Sequence, residues 1–84
     1  MDKSMIINAF RESIISKKEF ANAIYGDNPV PTNIADTLLT LSSFTFADLL
    51  IDVEGRLCIE FADEIMTLSN KTIGEIAEEI ERIV

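Results

Sequence analysis

The chain contains no histidine and a single cysteine, Cys58. No intrachain disulfide can form, and a zinc site built from thiolates and imidazoles has too few ligands. Ser–His and Cys–His nucleophile pairs are excluded within the chain. The sequence also lacks a glycine-rich phosphate loop of recognised spacing, a serine–lysine motif in a predicted cleft, and an EF-hand loop for a divalent cation. A chain of 84 residues buries only about 60–65% of the surface it exposes when unfolded, which leaves little room for a deep catalytic pocket and its scaffold. The reading is a protein that is not an enzyme, with no catalytic residue and no metal. No uninterrupted apolar run approaches the length of a membrane span, and Met1-Asp2-Lys3-Ser4 lacks the layout of a signal peptide. A cytoplasmic protein with no membrane partner is expected.

Basic residues are scarce as well: seven against fifteen acidic ones, for a net charge of −8. A field of that sign repels phosphate backbones, so nucleic acid is not an expected partner, whereas basic protein surfaces are. The same acidity also serves simply to keep a small domain soluble. With 48% hydrophobic residues, the chain is too apolar for disorder and is expected to fold as one domain, residues 1–84, and to be monomeric.

The apolar residues recur at helical spacing. Ile6, Phe10 and Ile14, with Ile7 and Ile15 alongside, predict a helix over about Ser4–Ser16. Phe20, Ala21 and Ile24 extend it or form a second piece, and Gly26-Asp27-Asn28-Pro29 with Pro31 ends it. A long loop, roughly Gly26–Leu41, follows. Its Ile34, Leu38, Leu39 and Leu41 are expected to dock on the core, with room for a helical turn from Asn33. Phe46, Leu49, Leu50, Val53 and Leu57 then mark the clearest amphipathic helix, with Thr45, Asp48, Asp52 and Arg56 opposite. Cys58–Phe61 reads as an extended link, with Cys58 as a small, partly buried packing group. Ala62–Leu68 carries a short helix, whose Ile65 and Met66 are core or the lining of a cavity. Thr72 and Glu75 form a capping box for a last helix with the stripe Ile73, Ile76, Ala77, Ile80 and Ile83. The expected fold is an all-α bundle of three main helices and one short one, with a long loop after the first.

Ser42-Ser43 stands at the start of the amphipathic helix. Taken alone, such serines most often cap the helix. The run Ser42-Ser43-Phe44-Thr45-Phe46-Ala47-Asp48-Leu49-Leu50-Ile51-Asp52-Val53-Glu54, the link Leu57–Glu64, and Asn70-Lys71-Thr72-Ile73-Gly74-Glu75-Ile76 carry a more specific signal. Together they resemble the acyl carrier protein family: its Asp-Ser-Leu motif, acidic helix, Ile-Glu-Ile-Pro-Asp-Glu link and Thr-Val-Gly-Asp segment. The resemblance covers the half of the chain from Ser42 onward. It implies an acyl-carrier-like four-helix bundle with 4'-phosphopantetheine, taken from coenzyme A, attached to Ser43. It further implies that a phosphopantetheinyl transferase and acyl-loading and acyl-processing enzymes with basic docking patches are the partners. The acyl group would ride as a thioester through a fatty-acid or specialised (polyketide or lipid) pathway. Asp48, Asp52 and Glu54, extended by Glu60, Asp63 and Glu64, would form the acidic recognition face, supplemented by the apolar Phe44 and Ile51; for any one of these carboxylates, an ordinary solvated helix face is an equal alternative.

The sequence departs from the family at Thr40, where glycine is usual, at Ser42, where aspartate is usual, and at Thr45 and Gly55, which are often acidic. These departures are consistent with a specialised carrier. Two further readings stay open: an aminoacyl or peptidyl carrier of a nonribosomal-type pathway, and an unmodified helical interaction module with the carrier fold.

Overall fold

The computed structural model describes the whole chain, Met1–Val84. Helix α1 (Lys3–Ser16) starts where the Asp2 carboxylate accepts the Met5 N–H at 3.0 Å, the usual way to satisfy an orphan donor. Its buried stripe is Ile6, Ala9, Phe10, Ser13 and Ile14, while Ile15 points outward. The backbone breaks at Lys17, which is extended, and resumes as α2 (Lys18–Tyr25). The second of the two readings for this region is therefore the observed one. Gly26 then ends α2 at φ 62°, a left-handed value that favours glycine.

Helix α3 (Ser43–Leu57) buries Phe46, Leu49, Leu50 and Val53. A 3-10 turn (Asp63–Thr67) and α4 (Ile73–Ile83) complete an all-α bundle with a long loop between α2 and α3. Helix α1 packs on α2, α3 and α4, and the 3-10 turn touches both α3 and α4. No helix is long and apolar enough to cross a membrane. The link pairs with no strand, and its first residue, Cys58, is left-handed instead of extended.

The loop is fixed by backbone pairing with the start of α4. Ala35 and Thr37 carbonyls accept the Gly74 and Ile73 N–H groups at 2.8 and 2.9 Å. Leu39 exchanges bonds with Asn70 and Lys71 across the isolated Leu38–Thr72 bridge, and the Tyr25 and Thr37 hydroxyls meet at 2.8 Å. The predicted capping box closes the remainder, with the Thr72 N–H donating to the Glu75 carboxylate at 2.8 Å and Glu75 N–H to the Thr72 hydroxyl at 3.1 Å. The donors of α4's first turn are thus taken up by loop carbonyls and a side chain, and the loop gains an anchor without a helix of its own.

Four local expectations are corrected. No helix forms at Asn33; its side chain accepts the Ala35 N–H at 3.0 Å in an Asx-type turn, and a single turn follows in which the Ile34 carbonyl accepts the Thr37 N–H at 3.0 Å. Ile34 and Leu39 are buried, but Leu38 is 52% exposed, because neighbours in extended backbone face opposite ways. Met66 faces solvent although Ile65 beside it is buried. Cys58 is exposed rather than partly buried, since it sits at the left-handed C-cap of α3 (φ 56°), outside the helix's buried stripe.

Gly74 is required by the loop contact. A methyl group there would stand 3.0 Å from the Ala35 carbonyl oxygen, which is itself bonded to the Gly74 N–H. Overpacking against anchored backbone costs about 1–3 kcal/mol, which outweighs alanine's helix preference of about 1 kcal/mol. Gly74→Ala is therefore expected to lower the urea midpoint despite improving helix propensity.

Candidate functional site at the start and outer face of helix α3

The N-cap of α3 is Ser42, whose backbone is extended and whose hydroxyl accepts the Thr45 N–H at 3.3 Å. The Ser42 carbonyl accepts the Phe46 N–H at 2.9 Å. Ser43 is the first helical residue; it is exposed, and its hydroxyl makes no hydrogen bond within the protein. The two serines therefore divide the work: one caps, and the other leaves a free hydroxyl beside the unpaired N–H groups of Ser43 and Phe44. The positive end of the helix dipole lies at the same place, a setting that stabilises a phosphate ester.

From this end an exposed stripe runs along α3 through Phe44, Asp48, Ile51 and Gly55, at intervals of four, three and four residues. Phe44 is 85% exposed and Ile51 63% exposed, in contrast to the fully buried apolar residues of the opposite face. Asp48, Glu60, Asp63 and Glu64 are exposed and take part in no ion pair.

Asp52 and Glu54 are committed elsewhere. The Asp52 carboxylate accepts from Arg56 at 3.0 Å and lies 3.5 Å from the Lys17 ammonium. The Ser13 hydroxyl, then the Arg56 guanidinium and the Lys17 ammonium, hold the Asp52 carboxyl below its ordinary value of 3.8, against the partial burial that works to raise it. Glu54 accepts the Phe61 N–H at 2.6 Å and so pins the link that carries Glu60 and Asp63. Both residues shape the acidic face more than they supply free charge to it.

Sequence reasoning missed the centre of this arrangement, Arg56. It donates to the hydroxyls of Ser13 (3.0 Å) and Ser16 (2.8 Å) as well as to Asp52, and lies 3.6 Å from Glu12. Ser13 is fully buried on the inner stripe of α1. A polar residue in a buried stripe, facing an i, i+4 Asp–Arg pair on another helix, was the available signal. Lys17 and Glu19 join Asp48, Ile51, Asp52, Gly55 and Arg56 around an open cleft of about 520 Å³ on the outer face of α3, beside the start of α2.

Family models, curated proteins and solved structures were all compared with the chain, and none of the three comparisons finds a match.

A carboxyl depressed in the folded state contributes stability that is present above its unfolded value and lost as the pH falls through the folded one. Asp52→Asn is accordingly expected to be less stable than the parent at neutral pH. The gap should begin to close as the pH falls below the ordinary value of 3.8 and vanish once it has fallen through the lower value at which the folded carboxyl is protonated. Urea midpoints measured from neutral to acid pH would check this.

Proposed function

We propose that this chain is a carrier protein that bears 4'-phosphopantetheine on Ser43 and moves thioester-linked acyl intermediates between enzymes of a fatty-acid or specialised biosynthetic pathway. The observation that carries the reading is the exposed, unbonded Ser43 hydroxyl at the first position of α3, freed by capping from Ser42. The resemblance of residues 42–76 to acyl carrier proteins supplies the chemistry. A transferase would use the Ser43 hydroxyl to attack the pyrophosphate of coenzyme A, forming the phosphodiester and releasing the nucleotide bisphosphate. The chain's own part is to present that oxygen in the open and to offer the resulting anion a helix N-terminus. The cargo thiol belongs to the arm and not to Cys58, which caps the far end of the same helix.

Ser42 stands where the family has aspartate, and it performs the cap through a hydroxyl in place of a carboxylate. The fold keeps its cap while one negative charge is removed from beside the attachment point. In this reading, transferases and loading enzymes approach with basic patches over Phe44, Asp48 and Ile51, with Glu60 and Asp63 at the edge. Rim charges of this kind set association rate and salt dependence more than folding stability.

Two substitutions separate the serines. Ser43→Ala is expected to abolish labelling by a fluorescent coenzyme A analogue and a permissive transferase, and to change stability by less than about 0.5 kcal/mol. Ser42→Ala should remain a substrate but cost about 1 kcal/mol through the lost cap. Labelling that survives Ser43→Ala and disappears in Ser42→Ala would move the site. Failure of every chain to label would instead favour the cofactor-free interaction module. Asp48→Lys should slow labelling, with the deficit shrinking as salt is raised.

A further inference from the structure

Helix α1 leaves one face bare. Met5, Asn8, Glu12 and Ile15, at intervals of three, four and three residues, are exposed on the side opposite its buried stripe. Met5 is 54% exposed and Ile15 51% exposed. That spacing is the seam of a coiled-coil contact. At the Met5 end a groove of about 200 Å³ opens between α1 and the end of α3, lined by Met5, Asn8, Ala9, Glu12, Arg56 and Leu57. A cavity of about 150 Å³ holds benzene, so this groove takes an aliphatic side chain over Met5, Ala9 and Leu57. An exposed aliphatic knob, Ile15, and a hole that fits one thus lie on the same helix.

That pairing defines the partner. When two copies of α1 run antiparallel about a twofold axis level with Phe10, Ile15 of each copy falls opposite Met5 of the other. Both holes are then filled at once, and the contact closes on itself. Asn8 of each copy falls opposite Glu12 of the other. Within one chain the Asn8 amide donates to Glu12 at 2.9 Å, and Arg56 lies 3.6 Å from Glu12. The one carboxylate on the strip is therefore already compensated and can be covered without leaving a bare charge.

The end charges agree with the same register. Asp2 at the N-cap and Lys18 just past the last turn take part in no ion pair. Antiparallel pairing brings each to the end of the other copy's helix where its opposite lies. Residues 1–18 also hold four of the chain's seven basic residues (Lys3, Arg11, Lys17 and Lys18) and only two of its fifteen acidic ones (Asp2 and Glu12). Helix α1 is thus where a second copy of so acidic a chain meets least repulsion.

We propose that α1 pairs antiparallel with α1 of a second copy, forming a twofold dimer in which Ile15 of each chain seats in the groove between α1 and α3 of the other. The monomer expected from composition describes the dilute chain. Fourteen residues of helix offer a strip only about 21 Å long, so the pair is weak and transient. The proposal rests on α1 and stands whether or not Ser43 is modified.

Sedimentation velocity of the full chain, from micromolar to millimolar concentration, is expected to show monomer giving way to dimer. Ile15→Glu removes both seats of the pair and should raise the dissociation constant about 100-fold, about tenfold for each seat. The melting temperature of the dilute protein should stay unchanged, because Ile15 is exposed. Cross-linking reads the register: in a Cys58→Ser background, Met5→Cys and Ile15→Cys chains, mixed and oxidised, should join to each other in preference to themselves. A sedimentation coefficient that stays monomeric at millimolar concentration would overturn the proposal. So would parent-like association in Ile15→Glu, or a Met5→Cys chain that cross-links mainly to itself.

Discussion

The bundle hangs on the burial of one stripe of α1. Ile6, Phe10 and Ile14 are completely inaccessible, and α2, α3 and α4 all pack against this helix. A large buried apolar side chain contributes about 1.5–3 kcal/mol relative to an exposed one, and a domain of this size has net stability of only roughly 5–15 kcal/mol. The stripe is therefore a large share of what holds the helices in place. The single polar residue within it, Ser13, is not a flaw in the packing. Its hydroxyl accepts from Arg56, and through Arg56 the inner face of α1 is tied to the outer face of α3.

That tie has a consequence for the surface. An acidic chain would be expected to spread its carboxylates over a solvated face, yet Asp52 is held by Lys17 and Arg56, and Glu54 by the Phe61 N–H. Asp48, on the same stripe of α3 as the exposed Phe44 and Ile51, stays free, as do Glu60, Asp63 and Glu64 beyond the helix. The loop between α2 and α3 is held at Ala35, Thr37 and Leu39 by the start of α4, and so delivers Ser42 and Ser43 from a fixed support. Rigid delivery of an exposed hydroxyl is what an attachment site needs, because the flexible part of such a device is the arm and not its anchor.

The all-α fold class, the α1, α3 and α4 stripes and the capping box were legible because each is written in local spacing or local turn chemistry. The break at Lys17 was legible only as an alternative, since no proline or glycine marks it. Leu38, Met66 and Cys58 were misjudged for a common reason. Composition says that such residues are usually inside, whereas their exposure follows from backbone geometry in an extended loop, a 3-10 turn and a left-handed cap. At the candidate site, the exposure of Ser43, Phe44, Asp48 and Ile51 on α3 was legible from the sequence. The commitment of Asp52 and Glu54 to partners within the chain was not. The i, i+4 spacing of Asp52 and Arg56 permits their pair, but the hydroxyls of Ser13 and Ser16 that Arg56 also meets lie forty and more residues away, and helical periodicity carries no information on such contacts.

The central claim is that Ser43 is an attachment point, and the intact mass of the protein co-expressed with a permissive phosphopantetheinyl transferase tests it most directly. The account predicts a single added phosphopantetheine, mapped to the peptide containing Ser43. A mass equal to that of the unmodified chain would contradict it.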